Sequence, residues 1–474
     1  MRTVQNVLVY GNFRNLHTGH FRLLKYASEL GSKLTVGIFE NHPSSLEAEF
    51  RFNLLSQLDF IDSVTFYSNV EELILRVKPE IIVKGKEFEE QENSELEIIR
   101  NVGARIIFSS GDFYLSESDF TKREDSNRFG ITRQVSDFFS KNRAVREDKL
   151  QNYVQGFKSL KVCVIGDLII DRYINCRAVG LSQEDSTVVY TPIKENDYLG
   201  GAGIVAAHCA TLGADTTLVT LTGSDEAAAW ADSQLKNCSV KNVSFVDETR
   251  PTTQKNRFRS NGNSLFRLSE YQNFPIQKEM KTELIQYVSS KIQDFDLLIF
   301  SDFSYGVVDR HLAHSVILQA KKADVVVAAD SQSSSQLGCL DKFRDCDLIT
   351  PTEKEARLEL RNEVDGLGVI AEKLRDQVGA RNLILKLGSD GILVDGAENS
   401  DRSSLAQSVP AFNSQPIDVS GAGDSLLAAS AMSLAQKSTL LEAGVLGSIS
   451  AAIQISREGN RPIKNDELMQ IISD

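Results

Sequence analysis

Two α/β domains in tandem are what the sequence predicts, on three observations. From Val7 to about Ser110 short β-branched runs alternate with amphipathic helical stretches. A charged stretch without a strong strand follows, and the alternation then reopens at KVCVIGDLIID (161–171) and continues to the C-terminus. Such alternation is the signature of parallel sheets covered by helices. The length agrees: 474 residues exceed the ~250–300 at which a single core stops growing.

In the first half, strands are expected at VLVYG (7–11), KLTVGIF (33–39), SVTFY (63–67), EIIVKG (80–85) and ARIIFSS (104–110). Helices are expected at 20–31, 50–58 and 70–78, where apolar residues recur at helical spacing. From Thr121 to Lys149 the text is charged and weakly patterned, so it reads as a partly helical connector. The expected domains are therefore 1–125 and 150–474, joined by 126–149. In the second domain strands fall at 217–223, 296–302, 324–330, 347–351 and 382–388, and helices at 202–212, 309–322, 366–378 and 421–436. Two stretches, 173–198 and 243–270, lack a helix between their strands and read as polar β-ribbons, suited to be lids over a site.

Composition narrows the function classes. Apolar residues make up 41% and charged residues 25%, with nine prolines, which excludes disordered and collagen-like chains. A net charge of −13 repels polyanions, so nucleic acid and membrane surfaces are poor partners and any phosphate is expected to be held by local devices such as helix N-termini. The six cysteines are scattered without a C-x-x-C pair, which points to reduced, buried thiols rather than zinc or disulfides. No apolar signal core opens the chain and no run approaches ~20 apolar residues, so the expected location is the cytoplasm.

Two motifs carry chemistry. In the first, the strand ending at Gly11 leads through Phe13 to His17-Thr18-Gly19-His20 at a helix start. Unpaired N–H groups and the helix dipole favour phosphate there, Gly19 permits close approach, and the imidazoles add donors. The plainer alternative is that both histidines merely cap the helix. Gly11, Phe13, His17, Gly19 and His20 resemble the G-x-F-x-x-x-H-x-G-H signature of the cytidylyltransferase-like nucleotidyltransferases, and the resemblance runs to about residue 122. It implies a Rossmann-like domain in which His17 and His20 stabilise the triphosphate of ATP or CTP, with Arg51, Ser116 and Ser118 on the nucleotide. Arg14 stands where the family has an acidic residue, 40–48 contains no lysine, and the late serine signature is loosened to Leu115-Ser116-Glu117-Ser118.

The second motif is DVSGAGD (418–424) at the start of a small-residue helix. Consecutive amides of Gly421, Ala422 and Gly423 form an anion hole for a phosphoryl oxyanion, and Asp424 is placed to accept a proton from an attacking hydroxyl. Over about 150–474 the chain resembles the ribokinase-like (PfkB) sugar kinases. The resemblance implies a three-layer α/β/α domain with a β-ribbon lid. Asp167, Asp171, Gly200 and Gly201 are then assigned to the sugar, and Lys386, Gly388 and Gly391 to the nucleotide. Asp424 is the base, and Glu355 through water and Asp418 indirectly organise Mg²⁺ for ATP. Departures are Ile204 for an asparagine of the family, Thr352 for another, and Gln332 for a lysine. Lys255, Arg257 and Arg267 alternate with Phe258 and Phe266 in the second ribbon, and read either as a clamp for a phosphate already on the sugar or as a solvated strand face.

A kinase product can feed a nucleotidyltransferase, and the pairing resembles the bifunctional ADP-heptose synthases with domain order reversed. That resemblance implies phosphorylation of a heptose 7-phosphate-like sugar and transfer of a nucleotidyl group to the resulting 1-phosphate. The alternative is a kinase carrying a degenerate, nucleotide-sensing first domain. The expected partners are small sugar phosphates and nucleotides, and a second copy in a homodimer joined through the lid ribbons.

Overall fold

Strands form where β-branched runs are buried on both faces, and in both halves of the chain neighbouring residues of one strand point into different cores. The computed structural model describes residues 6–13, 20, 23–24, 27–28, 30–40, 46–85, 95, 98–99, 102–109, 130–182, 184–185, 187–260, 263–332, 339–396 and 406–473. These fall into two compact units, Met1–Leu115 and Ser116–Asp474.

The first unit is built on a parallel sheet of β1 (Asn6–Gly11), β2 (Lys33–Phe39), β3 (Ser63–Tyr67), β4 (Ile81–Gly85) and β5 (Arg105–Ser109), in the order β3-β2-β1-β4-β5. Val7 and Val9 face one core with Val36, Ile38 and Leu55, while Leu8 faces another with Leu73, Ile74 and Ile82. The helix Val70–Val77 begins where Asn69 accepts the N–H groups of Glu71 and Glu72, and stops at Lys78 in the left-handed conformation.

Among the described residues the larger sheet of the second unit has nine strands: β6 (Lys161–Gly166), β9 (Asp215–Thr222), β10 (Lys241–Val246), β13 (Leu297–Asp302), β14 (Val326–Ser331), β15 (Leu348–Ile349), β16 (Asn382–Lys386), β17 (Ile392–Gly396) and β18 (Gln407–Val409). Their order is β10-β9-β6-β13-β14-β15-β16-β17-β18, parallel up to β16 and antiparallel at β17 and β18. Val162 and Val164 pack under helices Ala202–Thr211, Ala422–Ala435 and Leu440–Gln454, and Cys163 and Ile165 under Lys278–Lys291, Arg310–Lys322 and Leu367–Val378. Three layers result. A separate sheet of β7 (Leu168–Leu181), β8 (Val188–Gly201), β11 (Gln254–Ser260) and β12 (Asn263–Glu270) forms the lid, in the order β12-β11-β7-β8.

Two expectations change. The ribbon expected over 243–270 is two things: β10 extends the central sheet parallel to β9, and only β11 and β12 join the lid. The reason is legible in KNVSFV, where Val243 and Phe245 alternate with polar residues and pack on the core beneath an edge strand. In the expected connector, residues 130–141 form a helix, and its Ile131, Val135, Phe138 and Phe139 belong to the same core as Val162 and Leu427.

Candidate active site

Parallel strands place their C-terminal ends along one edge, where an open α/β sheet binds ligands. Here β6, β13, β14, β15 and β16 deliver Asp167, Asp302, Gln332, Thr352 and Lys386 to that edge. A cleft of about 1060 Å³ opens beside it, lined among others by Asp171, Lys255, Arg257, Arg267, Gln332, Thr352, Glu355, Lys386, Gly388 and 420–424.

The helix Ala422–Ala435 starts on Gly421, whose φ of 76° suits glycine, and whose missing Cβ would lie 2.4 Å from Asn460 Oδ1. Asp424 in its first turn is 5% exposed and accepts a hydrogen bond from Gln332 Nε2 at 3.1 Å. Burial, then the carboxylates of Asp330 and Asp171, push its pKa up to about 7 against the pull of Lys386 and Lys255. Near neutrality this carboxyl exchanges its proton, as a general base requires.

Beside it, Lys386 Nζ donates to both oxygens of Asp330 at 2.9 and 3.1 Å, and Thr350 Oγ1 donates to Asp330 Oδ1 at 3.0 Å. Burial alone would lower Lys386, but the carboxylates of Asp330, Glu355 and Asp424 override it and keep the ammonium charged. A Cβ on Gly423 would be 3.2 Å from this ammonium, so the cation borders the 421–424 helix start. Glu355 and Thr352 form a capping box that starts the helix Glu353–Leu360 and lines the cleft. Asp330, which ends the run DVVVAAD at the sheet edge, and Gln332 were legible from strand position; Asn460, 36 residues beyond Asp424, carried no sequence signal.

On the lid side, Asp171 Oδ1 accepts from Arg257 Nε and Nη2 at 3.0 and 2.9 Å, and Oδ2 from Asn460 Nδ2 at 3.1 Å. Lys255 lies 4.6 Å from the Phe303 ring centre and 5.3 Å from that of Tyr305. Arg267, exposed on β12, completes the basic wall.

The remaining sequence assignments separate. Asp167 is 2% exposed, does not line the cleft, and accepts the N–H groups of Phe303, Tyr305 and Val307, so it braces the loop after β13 instead of meeting a sugar. Burial and the neighbouring Asp302 raise its pKa. Gly200 and Gly201 back the cleft without lining it: a Cβ at 200 would lie 2.6 Å from Asp171 Oδ2 and one at 201 would lie 2.3 Å from Asp167 O. Gly391 turns the chain against Val409 and Ala411 and is likewise outside the lining, whereas Gly388 is on it. Asp418 is also off the cleft. Its carboxylate accepts from Tyr173 Oη at 2.8 Å and from the N–H groups of Ser420 and Gly459 at 3.1 Å, so it shapes the 418–424 loop. Ile204 is fully buried in the core and is not among the residues lining the cleft.

In the first unit, Gly11 ends β1 and Phe13 packs at 5.2 Å from the His20 ring. Arg51 is buried, donates to Asn12 O at 2.6 Å and pairs with Glu40. Lys84 pairs with Glu95, which also accepts from Tyr10 Oη at 2.7 Å. His17, Gly19, Ser116 and Ser118 lie outside the described residues.

The second unit is thus a three-layer α/β/α domain with a separate four-stranded sheet and a buried carboxyl in the first turn of a glycine-led helix. Residues 159–466 match the family model "pfkB family carbohydrate kinase", and residues 8–122 match "Cytidylyltransferase-like". The chain belongs to the pfkB family. It is 28% identical over 319 residues to the "Bifunctional protein HldE" of Helicobacter hepaticus, covering 66% of this chain and 64% of that one. For the protein of the same name from Campylobacter jejuni subsp. jejuni the figures are 30% over 312 residues, 65% and 64%. The chain thus spans just under two thirds of the length of these relatives. Among solved structures, phosphofructokinase-2 from Escherichia coli in complex with substrates and products superposes with a TM-score of 0.54 at 18% identity, covering 66% of this chain and 98% of that one. A ribokinase from Thermotoga maritima gives 0.52 at 20%, covering 66% and 100%. At such identities the likeness is one of fold.

Proposed function

We propose that the second unit transfers the γ-phosphoryl group of Mg²⁺-ATP to a hydroxyl of a sugar that already carries a phosphate. The observation that carries this reading is Asp424, buried at the anion-hole helix start with a pKa near 7 and facing the lid cations Lys255, Arg257 and Arg267 across one cleft. Asp424 takes the proton as the sugar oxygen bonds to the γ-phosphorus and the bond to the β-phosphate oxygen breaks, releasing ADP. Gln332 orients the base. The amides of 421–424 and the Lys386 ammonium receive the charge on the transferred group. Carboxylates suit Mg²⁺, which is usually held by one or two of them together with substrate phosphates, and Glu355 at the cleft wall is the candidate. Among the described residues no cluster of three or more His, Cys, Asp or Glu is gathered for a resident metal.

The first unit then joins the sugar 1-phosphate to a nucleotide from ATP or CTP, releasing pyrophosphate, as the ADP-heptose synthase resemblance and the relatives' word "bifunctional" suggest. A second reading has one supporting observation: the buried cations Arg51 and Lys84 are each held by a glutamate, which fits a sensing domain with lost chemistry. Supplying ATP or CTP with a panel of sugar phosphates, and scoring ADP and pyrophosphate separately, tests both. ADP with pyrophosphate supports the bifunctional enzyme, ADP alone the kinase with a sensor, and neither product rejects the kinase assignment.

Six free cysteines suit a reducing cytoplasm, and no described helix is long and apolar enough to cross a membrane. Exposed Val179, Val188, Ile193, Phe266 and Leu268 on the lid sheet support pairing of two copies there, which light scattering of a lid-surface variant tests.

A further inference from the structure

Gln134 lines the cleft although it lies 25 residues before the matched kinase stretch begins. Its helix, 130–141, is anchored by Ile131 and Val135 in the core and by Phe138, whose ring meets Phe412 edge-on at 5.4 Å. From this fixed base Gln134 Nε2 donates to Ser414 Oγ at 3.3 Å. The neighbouring lining residues Gly388, Ser389, Ala411, Asn413 and Ser414 carry no charge, and the 388–391 turn lies against Ala411. The cations that would hold phosphates are elsewhere, on the lid and at Lys386. An uncharged wall with a few amides and hydroxyls suits a base and ribose rather than a triphosphate.

We infer that the 130–141 helix walls the base end of the kinase cleft, and that Gln134 is a specificity-determining residue that reads the donor's adenine. A carboxamide presents a donor and an acceptor on one edge, the complement of adenine's N6 amino group and N7 and a mismatch for the N7/O6 edge of guanine, where both atoms accept. The long contact with Ser414 is easily exchanged for the base. A second hollow of about 490 Å³, lined by Asp137 and Lys141 on the same helix and by Asn142 just after it, shares Gln134 and Ala411 with the cleft, so these two residues border both.

The inference rests on the kinase reading, and binding measurements separate the two. Full-length protein carrying Gln134→Met, near in size but without hydrogen bonds, and Gln134→Ala are titrated with non-hydrolysable ATP and GTP analogues, and assayed for ADP release with the active sugar. Affinity and KM for ATP are expected to weaken roughly 3–10-fold in both variants. The preference over GTP should shrink, while kcat, the KM for the sugar and the melting temperature hold. Unchanged ATP affinity and unchanged ATP-over-GTP preference in a folded variant overturn the inference while leaving the kinase reading intact. A wild-type protein that binds neither analogue overturns both.

Discussion

Asp418 and Asp424 bound one seven-residue loop, yet the fold treats them oppositely. Burial pushes Asp418 up, but the Ser420 N–H, the Tyr173 hydroxyl and the Gly459 N–H outweigh it and hold the carboxyl below its usual value. Asp424 accepts a hydrogen bond from Gln332, has Asp330 nearby, and rises to about 7. A carboxylate saturated with donors is an architectural anion, whereas one left short of them is a base. The difference teaches that an acidic motif residue acquires its role from the number of donors around it, which its position in the motif does not state.

The largest effect should come from Asp424→Asn, which keeps the shape and removes the proposed base. ADP formation with the active sugar should fall on the order of 10²–10⁴-fold, and retained turnover would sink the assignment. The same variant should be more stable than wild type at pH 8. The folded pKa is raised from 3.8 to about 7, so the unfolded state binds fewer protons between these values and wild-type stability falls as pH rises through that window. The gain, at most about 4 kcal/mol, should vanish near pH 4, as read by denaturant unfolding. For the wild type, kcat/KM should climb as pH rises through about 7 and then level off.

At the other end of the loop, Asp418→Ala should cost about 2–3 kcal/mol of stability at pH 7 by orphaning its three donors. Because its folded pKa is depressed, that contribution is present above the unfolded value and lost as pH falls, the opposite slope to Asp424. Equal slopes for the two variants in urea titrations at several pH values would erase the contrast. A smaller effect is expected from Arg267→Ala, which should raise the KM for a phosphorylated sugar about 10-fold and spare kcat; an unphosphorylated sugar should be indifferent. The smallest is Gln332→Leu. Losing the donor to ionised Asp424 should move the rising limb of the pH profile upward by about half a unit, with only a few-fold loss of rate.

Much of this was legible beforehand, for physical reasons. Runs such as KVCVIG and DLLIFSD must be strands buried on both faces, and observed β6 and β13 lie within a residue of those runs. Gly421-Ala422-Gly423 before Asp424 left little choice of local geometry. What failed to show was long-range: that Asp167 would be consumed by amides about 136–140 residues away, that Asn460 would reach Asp171, and that Ile204 would turn into the core. Those depend on which strand ends meet at one edge, a property of topology that no local spacing encodes. KNVSFV carries the alternation of an edge strand, but it is short and a true ribbon follows it, so local pattern alone groups it, from Val243 on, with that ribbon.

The helix of residues 130–141 lies before the matched family stretch yet is built into its core. Phe138 and Val135 fill space against Phe412 and the kinase core, and removing a buried phenylalanine typically costs about 3–5 kcal/mol. A deletion that trimmed the chain back to the family boundary would therefore strip load from a core that has come to depend on it. The segment is a keystone of the second unit, and a cut at the family boundary would open a cavity where Phe138 and Val135 now sit.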